Sequence, residues 1–175
     1  MILNETGFQK GTPIGIRMKY IEHSVVGAGK WGTTLLLRDN VTKSMIYQSQ
    51  ADDPFECIMI RIVVGGKRTT LVGGYWPPRY IPKIDEWREI LSKGSAPYLV
   101  LGDFNAHHEQ GWGSNYTDQK GRLWAQLMDE FDLQMHGEGD TCFRPRVRPS
   151  NVDIGLTSSE LGACWERKIG ADPMG

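Results

Sequence analysis

A mixed α/β fold with more strands than helices is what this sequence predicts, and three features predict it. The first is a hairpin near the centre: residues 57–64 and 68–75 are two β-rich runs around Gly65-Gly66. The second is the order that follows it, in which helical patterns alternate with short apolar runs. The third is composition. Six tryptophans and 21 glycines suit a loop-rich α/β protein better than a helical bundle. A chain of 175 residues fits one domain, taken here as 1–175, with enough interior for a sizeable core.

The elements follow in order. Ile2-Leu3 precedes Asn4-Glu5-Thr6 and reads as a strand end with Glu5 at its edge. Residues 14–21 alternate for part of their length and predict a strand. Gly27-Ala28-Gly29 leads into another strand, 33–38; no helix pattern follows it, which excludes a phosphate-binding P-loop or dinucleotide motif. Residues 44–49 predict a short strand, and the hairpin comes next. Its second run stops at Pro77-Pro78, because proline cannot continue a ladder. Residues 82–92 predict a helix with Ile84, Trp87, Ile90 and Leu91 on one face, and Gly94 after its end. Residues 112–115 predict a surface loop. Gly121 opens a second helix, whose buried stripe is Leu123, Trp124, Leu127, Met128 and Phe131. Short strands are predicted at 133–136, at 151–157 with Asp153 near its beginning, and at 163–169.

Composition excludes little about chemistry. A net charge of −1 argues neither for nor against a nucleic-acid partner, since the placement of charge decides that. Cys57, Cys142 and Cys164 form neither a zinc pattern nor a disulfide framework, so a reducing compartment is expected. No apolar run approaches the length of a membrane span, and residues 1–5 carry no secretory pattern.

The chemistry concentrates in Tyr98-Leu99-Val100-Leu101-Gly102-Asp103-Phe104-Asn105-Ala106-His107-His108. A short apolar run ends there in a carboxylate, an amide and two imidazoles. Alternation along a strand lets Asp103 and Asn105 point one way while Phe104 turns into the core. Such a pair can hold a water or a phosphate oxygen. The same residue types are also ordinary turn formers. Arg144, Arg146 and Arg148 alternate with Pro145, Val147 and Pro149, which places three guanidinium groups on one side of an extended segment beside Ser150. Phosphate pairing and a charge-protected sheet edge both fit that pattern.

Gly102-Asp103-Phe104-Asn105-Ala106-His107-His108, with Trp112-Gly113-Ser114 downstream, resembles the endonuclease domain of LINE-type (non-LTR) retrotransposons. That domain belongs to the endonuclease/exonuclease/phosphatase superfamily, with deoxyribonuclease I. Leu3-Asn4-Glu5-Thr6, Gly74-Tyr75-Trp76-Pro77-Pro78, Gly121-Arg122-Leu123, Thr141 and Ser150-Asn151-Val152-Asp153 fall in the family's order.

The resemblance implies a four-layer α/β sandwich of two packed mixed sheets flanked by helices, with terminal strands missing. It implies phosphodiester hydrolysis with Mg²⁺ or Mn²⁺, nicking DNA so that the exposed 3′ end primes reverse transcription. A reverse transcriptase domain in the same polyprotein and a nuclear location follow from the same likeness. Glu5 is the implied metal ligand. Asp103 would take or orient the proton of the attacking water, Asn105 would bond a phosphate oxygen, and Tyr75 would reach the phosphate through its hydroxyl. Asp153 would orient a catalytic histidine or support the metal shell. Thr141, Ser150, His107 and the three arginines are the implied DNA contacts, with Trp112 and Tyr116 available for packing on DNA. The family's asparagine-bearing first strand and its closing Ser-Asp-His element do not occur within residues 1–175. The chain is therefore expected to be a fragment and at best weakly active. A non-catalytic relic and a phosphatase of the same superfamily are the alternatives.

Overall fold

The structure is a computed structural model that describes residues 2–3, 20–25, 31–64, 66–136, 141 and 151–162. Strands β1 (Ile2–Leu3), β2 (Tyr20–Val25) and β3 (Thr33–Arg38) form one sheet, in the order β1-β3-β2 with antiparallel pairing. The remaining strands are β4 (Lys43–Gln48), β5 (Glu56–Val64), β6 (Lys67–Tyr75), β7 (Tyr98–Asp103), β8 (Leu133–Met135) and β9 (Asp153–Ser158). They form a mixed sheet in the order β4-β5-β6-β7-β9-β8, in which β6 and β7 run parallel and the other pairs antiparallel. Helices α1 (Ile84–Ser92), α2 (Glu109–Trp112), α3 (Gln119–Glu130) and α4 (Ser159–Gly162) complete the described elements.

Alternation along the strands divides the core in two. Cys57, Met59, Val72, Tyr98, Val100, Ile154 and Leu156 face the helices, where they meet Trp87, Ile90 and Leu91 of α1 and Leu123, Trp124 and Leu127 of α3. Ile58, Ile60, Ile62 and Leu71 face the other way and pack with Leu35 and Leu37 of β3. The period of two that alternates side chains thus gives the large sheet two apolar faces. One face is covered by helices and the other by the small sheet. Three of the four layers implied by the family resemblance are visible among the described residues.

Helix α1 starts at Ile84, two residues later than the sequence pattern suggests, because Lys83 is extended at its N-cap. Helix α3 is capped by Asp118, whose carboxylate accepts from the Gly121 amide at 2.7 Å. Arg88 of α1 makes two 2.7 Å contacts with the Glu130 carboxylate of α3, pinning the helices together at the surface. The expected loop at 112–115 is partly corrected. Residues Glu109–Trp112 form a helical turn, and Trp112 is buried with its indole N–H on the Ala106 carbonyl at 3.1 Å. It therefore packs in the core and offers nothing to DNA. The strand expected at 14–21 is described only from Tyr20, where it runs on to Val25. The strand expected at 163–169 lies outside the described residues. No helix among the described residues is long and apolar enough to cross a membrane.

The tightest contact in the large sheet is between β6 and β7. Gly74 and Gly102 are register partners, and a Cβ on Gly102 would sit 2.0 Å from the Gly74 carbonyl oxygen. A side chain there forces the strands apart. Gly102→Ala is expected to lower stability by about 1–3 kcal/mol, the range for an overpacked interior, as read from the urea midpoint.

Candidate active site

The register of the large sheet places four polar residues in one row at one end. Glu56 pairs with Tyr75, Tyr75 with Asp103, and Asp103 with Asp153. By parity, all four lie on the face that carries Ile58, Leu71 and Leu101, the face turned toward the small sheet. Directly opposed residues have Cβ atoms about 4.5–5.5 Å apart, so the row is a continuous polar edge. The carboxyl ends of the parallel strands β6 and β7 lie at this edge, as ligand crevices do in open α/β sheets.

Each member is held from behind. Glu56 is fully buried, and its carboxylate accepts from the Gly32 amide at 2.9 Å and the Thr33 hydroxyl at 2.8 Å. It thereby clasps β3 of the small sheet to the start of β5. Tyr75 is also fully buried, with its ring centroid 5.6 Å from that of Trp31. The Thr141 hydroxyl accepts from the amides of Val152 and Asp153, both at 3.2 Å, so it fixes the start of β9. That contact makes Thr141 a support for Asp153 whether or not it also meets DNA.

Asn105 lies beyond the end of β7 with a positive φ of 44°, a conformation asparagine tolerates. Its amide N–H donates to Asp103 Oδ1 at 2.9 Å, and its Nδ2 donates to the Trp76 carbonyl at 2.9 Å. An amide nitrogen carries two hydrogens, and the bond to Trp76 uses one of them. Phe104 turns inward as its position in the strand predicts, into a cluster with Trp76, Trp87 and Trp124 at centroid distances of 5.3, 6.2 and 4.7 Å. This aromatic floor lies directly behind the residues that carry the polar groups.

The two histidines part. The Nδ1 of His108 accepts from the Gly111 amide at 2.8 Å, which makes it the N-cap of α2. The ring of His107 stacks on Tyr116 at 4.5 Å, and Tyr116 is 53% exposed. His107 Nδ1 is buried without a hydrogen-bond partner among the described residues. Burial holds the His107 pKa below its ordinary value; Lys120 pushes the same way and Asp118 opposes both.

Glu5, Arg144, Arg146, Arg148 and Ser150 lie outside the described residues. Among the described residues no group of three or more His, Cys, Asp or Glu side chains converges as a metal cage. Glu56 escaped the sequence reading. Its signal was a carboxylate opening the apolar run 57–64, which could as easily have been a solvated strand end.

Comparison with known proteins agrees with this architecture. Residues 69–173 match the model of a family described as endonuclease-reverse transcriptase, and the chain belongs to that family. A probable RNA-directed DNA polymerase from transposon X-element of Drosophila melanogaster is 32% identical over 91 residues. The match covers 50% of this chain and 10% of that protein, so the chain spans a small part of its relative's length. The fold is similar to the endonuclease domain of TRAS1, a telomere-specific non-LTR retrotransposon, with a TM-score of 0.60 and 18% identity over 80% of this chain and 68% of that one. The human Nocturnin catalytic domain gives 0.61 and 14%, covering 90% and 68%. The match to the family and the likeness to these relatives identify a non-LTR retrotransposon endonuclease fold of the endonuclease/exonuclease/phosphatase superfamily.

The His107 environment gives a pH prediction. The unfolded imidazole titrates near about 6.5 and the folded one lower, so the unfolded state binds more protons between those values. Stability is full above that window and falls as pH drops through it. Urea titrations at several pH values between 5 and 8 should show a smaller acid loss for His107→Phe than for the wild type.

Proposed function

We propose that this chain carries the phosphodiesterase centre of a retrotransposon endonuclease and nicks DNA. The observation that supports the reading is the in-register row Glu56–Tyr75–Asp103–Asp153, with Asn105 beside it. Hydrolysis of a phosphodiester needs an oriented water, contacts to the non-bridging oxygens and relief of the charge on the leaving oxygen. Asp103, half-buried at the strand end, accepts the proton of the attacking water or orients it. Asn105 offers its remaining N–H to a phosphate oxygen. Tyr75 has no exposed surface, so a phosphate meets Asp103 and Asn105 first and the phenol acts from the inner side of the row.

The donor set at this edge is entirely oxygen: three carboxylates, of which that of Glu56 is turned to Gly32 and Thr33, a phenol and an amide. That is the chemistry of a hard divalent cation, Mg²⁺ or Mn²⁺. Glu5 would hold it with Asp153 supporting its shell, and the cation would supply Lewis-acid stabilisation of the charge developing at phosphorus and the leaving oxygen.

DNA is the substrate this reading favours. Arg144, Arg146 and Arg148 supply phosphate partners near Ser150, and the exposed Tyr116 ring, stacked on His107, offers a base a flat surface next to the scissile phosphate. In the full-length protein a reverse transcriptase domain would extend the nicked 3′ end, in the nucleus where chromosomal DNA lies.

The test is a nicking assay on supercoiled plasmid with protein in excess. Mg²⁺-dependent conversion to the open circle is expected, and Asp103→Ala should slow it by about 10²- to 10⁴-fold, the usual contribution of a general base. Turnover confined to a small phosphomonoester such as an inositol phosphate would favour the phosphatase alternative. No metal-dependent turnover on either substrate would remove the proposal.

A further inference from the structure

Strand β6 leaves the sheet at Trp76-Pro77-Pro78, where the two prolines have no N–H to anchor the chain. Their carbonyls are held instead by a side chain from another element. Lys120 Nζ donates to the Pro77 carbonyl at 2.7 Å and the Pro78 carbonyl at 3.2 Å. Asn105 holds the carbonyl just before them, that of Trp76, and the Trp76 amide donates to the Asp103 carbonyl at 2.9 Å. Three successive carbonyls at the exit of the Tyr75 strand are thus gripped from outside it.

Lys120 is placed there against local preference. It sits in the first turn of α3, at the positive end of the helix dipole, and is buried. Desolvation lowers its pKa, while the nearby carboxylates of Asp118 and Asp103 act to raise it. The start of α3 cannot move to relieve this. A Cβ on the neighbouring Gly121 would lie 1.8 Å from the His107 carbonyl oxygen, so the helix is seated directly on the loop that follows Asn105. A buried cation in an unfavourable helical position is costly, and the two carbonyls it holds offset that cost.

We propose that Lys120 is a positioning residue for the candidate centre: its ammonium straps Pro77 and Pro78 to α3 and so keeps Tyr75 in register beside Asp103. The link to catalysis rests on the function proposed above; the strap itself does not. Two readouts separate them. In amide hydrogen exchange, Lys120→Met should speed exchange at Trp76 and Tyr80, whose amides bond Asp103 and Pro77, by about tenfold, with no change at Ile90 and Leu91 of α1. In plasmid nicking, Lys120→Met should lower kcat by about 10- to 100-fold with KM little changed, as misplacement of reacting groups does. Lys120→Arg, which can still reach two carbonyls, should restore both. Lys120→Gln replaces Lys120→Met if the latter does not fold. Wild-type exchange at Trp76 and Tyr80 in the variant overturns the strap, and wild-type kcat in a folded variant overturns its role in positioning. If the wild-type chain does not nick, the functional reading fails, and the exchange result alone decides the strap.

Discussion

The pairing of β6 with β7 is the constraint on which the rest of this structure depends. The two strands run parallel and in register from Thr70 opposite Tyr98 to Tyr75 opposite Asp103. Their close approach at Gly74 and Gly102 leaves no room for a side chain. Because strand side chains alternate with a period of two, a slip by one residue would turn Asp103 toward the helices and Phe104 toward the small sheet. The aromatic cluster of Trp76, Trp87, Phe104 and Trp124 resists that slip. It accepts Phe104 only when Asp103 points to the other face. Packing on one side of the sheet therefore selects the chemistry presented on the other.

Two polar contacts carry this register outward. Glu56 ties the start of β5 to Gly32 and Thr33, so the small sheet closes on the same edge that bears Tyr75, Asp103 and Asp153. Strand β1 pairs with β3 near that clasp, Leu3 lying opposite Thr34, and Glu5 follows two residues later in sequence. On the helical side, Asn105 and Lys120 hold the exit of β6. A buried carboxylate and a buried ammonium thus serve opposite flanks of one row. Each contacts backbone groups directly, the condition under which burying charge is tolerable.

Much of this was legible in the sequence, for reasons that differ by element. The hairpin, the two amphipathic helices and the 98–103 strand announce themselves through local periodicity, and the structure contains all of them. Asp103 and Asn105 stood out because a polar cluster ends an apolar run. The row did not, because register couples residues far apart in the chain: Glu56 and Asp153 become neighbours of Tyr75 and Asp103 only through three strand pairings. Lys120 carried no local signal, since nothing near it in sequence says that two proline carbonyls will stand over it. Trp112 misled in the opposite direction: a ring the sequence offered for packing on DNA is a core ring, while His108 is a helix cap. Glu5 and the arginine segment, which the family resemblance implicated, fall outside the described residues.

The central claim is the proposal that the row at the ends of β6 and β7 and the start of β9 holds a divalent cation. Paramagnetic broadening of backbone amide resonances by substoichiometric Mn²⁺ tests it without requiring turnover. The account predicts that the amides of Asp103, Asn105 and Asp153 broaden first, while Val63 and Arg68, at the far end of the hairpin, stay sharp. Broadening centred on scattered surface carboxylates such as Glu109 and Asp129, with the row unaffected, would contradict it.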